Sequence, residues 1–165
     1  MNKTLFLLCP TDCLETTINN TYESKNYFYT SLGNSFVVDN STIKSIKELI
    51  LKQNIKNIYF VLSNDNKIIL DALESQSFSE NIGLKNFYSE IIKQKETSEV
   101  MWLITNNRHL IISYFLNHKI KELQLELDKL SLNSIKIRGK IYDRHETAFK
   151  NIYSSLTCLE SHCLN

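Results

Sequence analysis

Four cysteines fall into two pairs, Cys9 with Cys13 and Cys158 with Cys163, and His162 stands beside the second pair. Such side chains can build a metal centre, a nucleophilic thiol or a redox sensor. Their spacings, C-x-x-x-C and C-x-x-x-H-C, differ from the C-x-x-C knuckles of structural zinc sites. The plainer reading is therefore of small buried thiols, with convergence of Cys9, Cys13, Cys158, His162 and Cys163 on one metal as the sharper one. A redox sensor built on Cys9 and Cys13 is a third. Lys67 stands near an expected helix start, where its charge and the free backbone N–H groups would hold bicarbonate, phosphate or a carboxylate. The alternative is a solvated lysine on a turn, with Asn64 and Asp65 as ordinary turn and cap residues. His109 and His118 lie nine residues apart on an expected helix, hence on different faces, and read as surface or capping residues. His145, in a DRHET turn beside Asp143, reads as solvated loop chemistry. The chain has no G-x-x-x-x-G-K-[ST] phosphate loop, no dinucleotide fingerprint and no serine nucleophile elbow.

A chain of 165 residues is long enough for one domain with a substantial core. Apolar residues make up 42% and charged residues 22%, the composition of a folded globular chain. The net charge of +1 comes without a basic stripe, which argues against nucleic acid as a partner. The longest apolar runs, LFLLC and VMWLI, fall far short of the roughly 20 residues that span a bilayer. Lys3 leads directly into a strand-like run with no small-residue cleavage site, so a cytoplasmic protein with reduced thiols is expected.

The elements that must position these residues follow from the apolar pattern. Residues 4–9 (TLFLLC) read as a buried strand stopped by Pro10. Residues 27–32 (YFYTSL) form an aromatic strand closed by a turn at Gly33-Asn34. Asn40-Ser41-Thr42 offers a cap for a helix carrying Ile43, Ile46, Leu49 and Ile50 on one face. Residues 57–63 are the most apolar strand, and strand–helix–strand in this order signals a right-handed parallel crossover. Residues 66–96 are mainly helical with a break near Gly83, placing Phe87, Ile91 and Ile92 on one face. VMWLIT (100–105) is a further strand with Trp102 in the core. Residues 108–130 make a long amphipathic helix with Leu110, Phe115, Ile120, Leu123 and Leu127 inward. In residues 134–143, Ile135 and Ile137 alternate with Lys136 and Arg138, which predicts a half-exposed strand nearer an edge. The tail from 148 reads as a helix or strand remnant and a frayed end. The fold class expected is α/β, a single domain with a mainly parallel sheet of four to five strands flanked by helices.

Several segments, in the right order, resemble the β-class carbonic anhydrases. LFLLCPTDC resembles the strand ending in C-x-D-x-R, and YTSLGNSF the R-N-A-G-N segment, with Gly33 and Asn34 kept. NIYFVLSNDNKIIL is similar to the strand-loop-helix carrying an H-x-x-C ligand pair. SIKIRGKIYDRHETAF resembles the family's l-x-v-x-G-x-x-Y-D-x-x-T-G hairpin, with Gly139, Tyr142, Asp143 and Thr147 kept. The resemblance runs from about residue 4 to 150.

It implies dimers, with Tyr22–Phe36 as a candidate contact, and a zinc ion on two cysteinates and a histidine that makes hydroxide near neutral pH. Yet Cys9 is the only matching ligand. The histidine position holds Asn64 and the cysteine position Lys67. The Asp and Arg of C-x-D-x-R become Thr11 and Cys13, with Asp12 displaced by one residue. An ammonium about 4 Å from a divalent ion would repel it by roughly 8 kcal/mol at an effective dielectric of 20, against a structural-zinc affinity of about 10–16 kcal/mol. The resemblance thus points to a zinc-free protein that needs no cofactor and has a binding, regulatory or structural role. Its vestigial site or anion site would be Cys9, Thr11, Asp12, Cys13, Gly33, Asn34, Asn64 and Lys67, the anion one such as bicarbonate. The alternative is an enzyme rebuilt around Cys9, as nucleophile, reactive thiol or ligand to zinc, acting on carbon dioxide or a similar small electrophile.

Overall fold

The computed structural model describes residues 3–36, 39–97, 108–132 and 134–153. The apolar runs of β1 (Lys3–Leu8) and β3 (Asn57–Ser63), with β2 (Lys25–Thr30), β4 (Lys136–Asp143) and β5 (Ala148–Asn151), build one five-stranded sheet in the order β2-β1-β3-β4-β5. The first four strands run parallel and β5 is antiparallel to β4. The helices between them are α1 (Glu15–Thr21), α2 (Asn40–Gln53), α3 (Lys67–Leu73), α4 (Lys85–Thr97) and α5 (Arg108–Lys129). This is the α/β architecture expected from the sequence.

The strand expected over 57–63 is found there, and those expected over 4–9 and 27–32 begin earlier, at Lys3 and Lys25. The strand expected over 100–105, with Trp102, lies outside the described residues, as do Cys158, His162 and Cys163. The strand expected over 134–143 nearer an edge is found as β4, beginning at Lys136, next to the edge strand β5 and paired in parallel with β3 on its other side. Its alternation reports that Lys136 and Arg138 lie on a half-open sheet face. One expectation needs correction. The cap of α2 is Asp39, whose Oδ1 accepts the Thr42 N–H at 2.7 Å, one residue before the expected start.

Strand periodicity sorts the core into two faces. Leu5, Leu7, Ile58, Phe60 and Leu62 pack with α2, α3, α4 and α5 through Ile46, Ile50, Ile69, Phe87, Ile91, Ile112 and Phe115. On the opposite face Phe6, Leu8 and Val61 are covered by Leu14 and by Ile18 of α1, with Tyr22, Phe28, Tyr59 and Phe149 at its margin. Phe6 stacks on Tyr59 at 5.5 Å between ring centres. Among the described residues, no helix is long and apolar enough to cross a membrane.

The connection from α3 to α4 is organised by one carboxylate. Asp71 accepts Ser75 Oγ at 2.9 Å, the Ser77 N–H at 3.1 Å and the Phe78 N–H at 3.2 Å, and Tyr88 donates its hydroxyl from α4. Partial burial works to raise its pKa, but these donors prevail and hold it down to about 2. Asp71 therefore contributes stability that is present above the ordinary carboxylate range and is lost as pH falls through about 2. Asp71→Ala is expected to lower stability by about 1–2 kcal/mol at neutral pH. The difference from wild type should shrink toward pH 2 in urea unfolding. A pH-independent difference would contradict this role.

Candidate functional site

Parallel strands direct their C-terminal ends to one rim of the sheet, and there the loops after β1 and β3 meet the start of α3. Cys9 ends the apolar run of β1 and is 1% exposed. Pro10 then starts a single 3-10 turn, Pro10–Asp12, that carries Asp12 inward. The Cys9 sulfur receives the Gly33 N–H at 3.1 Å and lies 3.0 Å from Thr11 Oγ1. Gly33 has φ +61°, a left-handed conformation, and a side chain there would meet Phe87 and Ile68 at 3.0–3.1 Å. Asn34 beside it is fully buried. Its Nδ2 donates to Leu7 O at 2.8 Å and Val61 O at 3.1 Å, so it ties β1 to β3.

Asp12 is the centre of this rim. Its carboxylate is 1% exposed and accepts the Ser63 N–H and Asn66 Nδ2, each at 2.8 Å. Burial pushes its pKa up, and the Ser63 and Asn66 hydrogen bonds and the Arg144 charge oppose that shift. The Asn66 amide oxygen in turn accepts the N–H groups of Ile68 and Ile69 at 3.1 and 3.0 Å, capping α3. Arg144, from the hairpin between β4 and β5, closes the rim from outside. Its Nη2 donates to the Asp12 carbonyl at 2.7 Å and its Nε to Asp65 at 2.8 Å.

The candidates separate on this geometry. Cys9, Thr11, Asp12, Gly33 and Asn34 are brought together. Cys13 is exposed and directs its thiol at Pro10 O, 3.5 Å away. Asn64 donates its backbone N–H to Tyr142 O at 2.9 Å and lies half-buried on the hairpin side. Lys67 is exposed as the first residue of α3, and its side chain forms no hydrogen bond or ion pair with any described residue. The inward pair at three-residue spacing is Ser63 and Asn66, one position before Asn64 and Lys67. The repulsion expected from Lys67 is accordingly that of a solvated charge, which water screens.

Sequence reasoning passed over Ser63, Asn66 and Arg144. Asn66 carried a usable signal, since asparagine directly before an apolar helix is a favoured cap. Ser63 acts through its backbone and Arg144 comes from 132 residues beyond Asp12, so neither leaves a local trace. Of the histidines, His118 pairs with Glu122 at 3.1 Å, His109 reaches Asn151 O at 3.2 Å, and the His145 backbone N–H donates to Asp143.

Compared with known proteins, the chain is similar to three solved fungal structures. The β-carbonic anhydrase CafD of Aspergillus fumigatus has a TM-score of 0.71 at 15% identity, over 93% of this chain and 90% of that one. The β-carbonic anhydrase CafA of the same fungus has a TM-score of 0.73 at 14% identity, over 97% and 80%. A tetrameric β-carbonic anhydrase of Sordaria macrospora gives 0.70 at 15% identity, over 92% and 80%. The fold is that of a β-carbonic anhydrase. No protein-family model matches the sequence, and the search of curated proteins gave no match.

A β-carbonic anhydrase fold raises the question of zinc, whose usual donors are thiolate, imidazole and carboxylate. Facing into this rim, those donor types are represented by Cys9 and Asp12, with Asp65 paired to Arg144 and Cys13 exposed, and the Asp12 carboxylate is engaged by Ser63 and Asn66. Among the described residues, no group of three or more His, Cys, Asp or Glu side chains could hold a metal ion. Among the described residues, the donors at this rim do not fit zinc.

Asn66→Ala removes both the cap of α3 and a donor to a buried carboxylate. It should cost about 2–4 kcal/mol by denaturant unfolding. Lys67→Ala should stay within about 0.5 kcal/mol of wild type. Equal effects of the two changes would mean that Asn66 does not face inward.

Proposed function

We propose that this protein uses the β-carbonic anhydrase fold for binding, in a regulatory or structural role, rather than for zinc-dependent hydration of carbon dioxide. The observation that supports this is the buried Asp12–Asn66 pair. Asp12 accepts the Ser63 N–H and the Asn66 amide, and the Asn66 oxygen accepts the first amides of α3, so both groups are engaged within the protein. Hydration on this fold would require a zinc-bound hydroxide, and the rim offers too few acidic donors to hold the ion. The ligand class we assign is a small anion such as bicarbonate, and no cofactor is needed for that role.

A second reading is favoured by Cys9, whose buried sulfur accepts the Gly33 N–H and shares a hydrogen bond with the Thr11 hydroxyl. Under it Cys9 would be a nucleophile or a rebuilt metal ligand, with Asp12 or Cys13 as its helper. Metal analysis and stopped-flow hydration assays separate the two. The purified protein is expected to carry substoichiometric zinc and to hydrate carbon dioxide no faster than buffer, with or without added zinc. Stoichiometric zinc with zinc-dependent turnover, abolished by Cys9→Ala, would establish the second reading instead.

The binding role is assigned to a homodimer. Among the described residues β2 ends the strand order with one side unpaired, and its Tyr27, Phe28 and Tyr29 are only half-buried. Sedimentation velocity at micromolar concentration should show a two-chain species, and a monomer there would remove the assignment.

A further inference from the structure

Arg108, His109, Arg144, His145, Lys150 and Tyr153 line an open cleft of about 640 Å³ between the start of α5, the β4–β5 hairpin and the loop after β3. That volume suits a small organic molecule. The cleft also contains two carboxylates, Asp65 and Asp143, and both are engaged. Asp65 pairs with Arg144 at 2.8 Å and Asp143 with Lys150 at 2.8 Å. Asp143 further accepts the His145 and Glu146 N–H groups at 3.0 and 3.2 Å. Arg108 has no carboxylate partner among the described residues, and neither does the His145 side chain. Lys150 is paired with Glu146 as well, at 2.6 Å, so Arg108 is the cation of the cleft that no carboxylate of the described residues engages.

The geometry refines what that charge can hold. Arg144 uses Nε and Nη2 on Asp65 and on the Asp12 carbonyl, so its Nη1 N–H groups remain for a ligand. Arg108 opens a helix of 22 residues, whose first N–H groups add positive potential on the same side. The His109 ring packs edge-on against Tyr153 with ring centres 4.7 Å apart, giving the cleft one aromatic wall. Separated cations from two elements suit a multi-oxygen dianion better than a lone carboxylate, because guanidinium groups match phosphate oxygens in paired hydrogen bonds.

We propose that this cleft binds a small organic phosphate monoester, its phosphate between Arg108 and Arg144 and its organic part against the His109–Tyr153 wall. The proposal deepens the binding reading above, but a zinc enzyme could carry the same cleft, so either can fail alone. Titration calorimetry of the full chain with phenyl phosphate, inorganic phosphate and phenol tests it. Phenyl phosphate should saturate with a Kd of about 1 mM or tighter. Inorganic phosphate should bind more weakly and phenol not measurably. Arg108→Gln should weaken phenyl phosphate by about tenfold or more, and Arg108→Lys should restore part of the loss. Arg138→Gln, at a residue bonded to Tyr59 and outside the cleft, should leave binding unchanged. Absence of saturable phenyl phosphate binding, equal binding of phenol, inorganic phosphate binding as tightly as the ester, or equal losses in Arg108→Gln and Arg138→Gln would each overturn the proposal.

Discussion

A carboxylate buried at the end of a parallel sheet is the constraint on which the rim of this protein depends. Removing a charge from water costs several kcal/mol unless hydrogen bonds replace its hydration. Asp12 meets that requirement with one backbone N–H from the end of β3 and one side-chain amide from the start of α3. The same amide group then uses its oxygen on the helix it begins. Strand, loop and helix are thereby fixed relative to each other through two side chains. Cys9 and Gly33 join β1 and the turn after β2 to this arrangement by a single N–H to sulfur contact.

The β-carbonic anhydrase fold is present here although the described residues hold no group of three or more His, Cys, Asp or Glu that could bind a metal, because different interactions maintain a fold and a metal site. The fold rests on apolar packing. Leu5, Leu7, Ile58, Phe60 and Leu62 are each fully buried, and the helical face they meet is equally apolar. Burial of this kind is non-directional and tolerates wide substitution provided volume and pattern are kept. A metal site needs particular donor atoms, and one change of residue type is enough to remove a ligand. Sequence identities near 15% alongside TM-scores near 0.7 are what that difference in tolerance leaves.

Arg144 connects the two regions of chemical interest. It is held on one side by the Asp12 carbonyl and by Asp65, and it lines the charged cleft on the other. Its orientation is thus set by the rim, while its remaining donors serve the cleft. Lys150 shows the same economy of charge. It is paired with Asp143 and Glu146 at 2.8 and 2.6 Å, which fixes the hairpin while keeping an ammonium at the cleft's edge.

By itself the sequence determined the elements and the class of fold. The apolar runs at TLFLLC and NIYFVLS, the helical face of Ile46 and Ile50, and the retained GKIYD segment each depend on neighbours within a few residues. Such patterns are legible because strand and helix periods are local properties of the chain. Tertiary structure alone decided which side of the α3 start faces inward. Asn64/Lys67 and Ser63/Asn66 have the same spacing, and only the buried carboxylate, 54 positions before Asn66, selects the second pair. It also decided that β4 is interior, since a half-open face looks the same in sequence at an edge or within a sheet. Arg144 and the cleft were illegible for the same reason. Their partners, Asp12, Asp65 and Arg108, come from segments far apart in the chain, and charge complementarity over that separation leaves no mark on local periodicity.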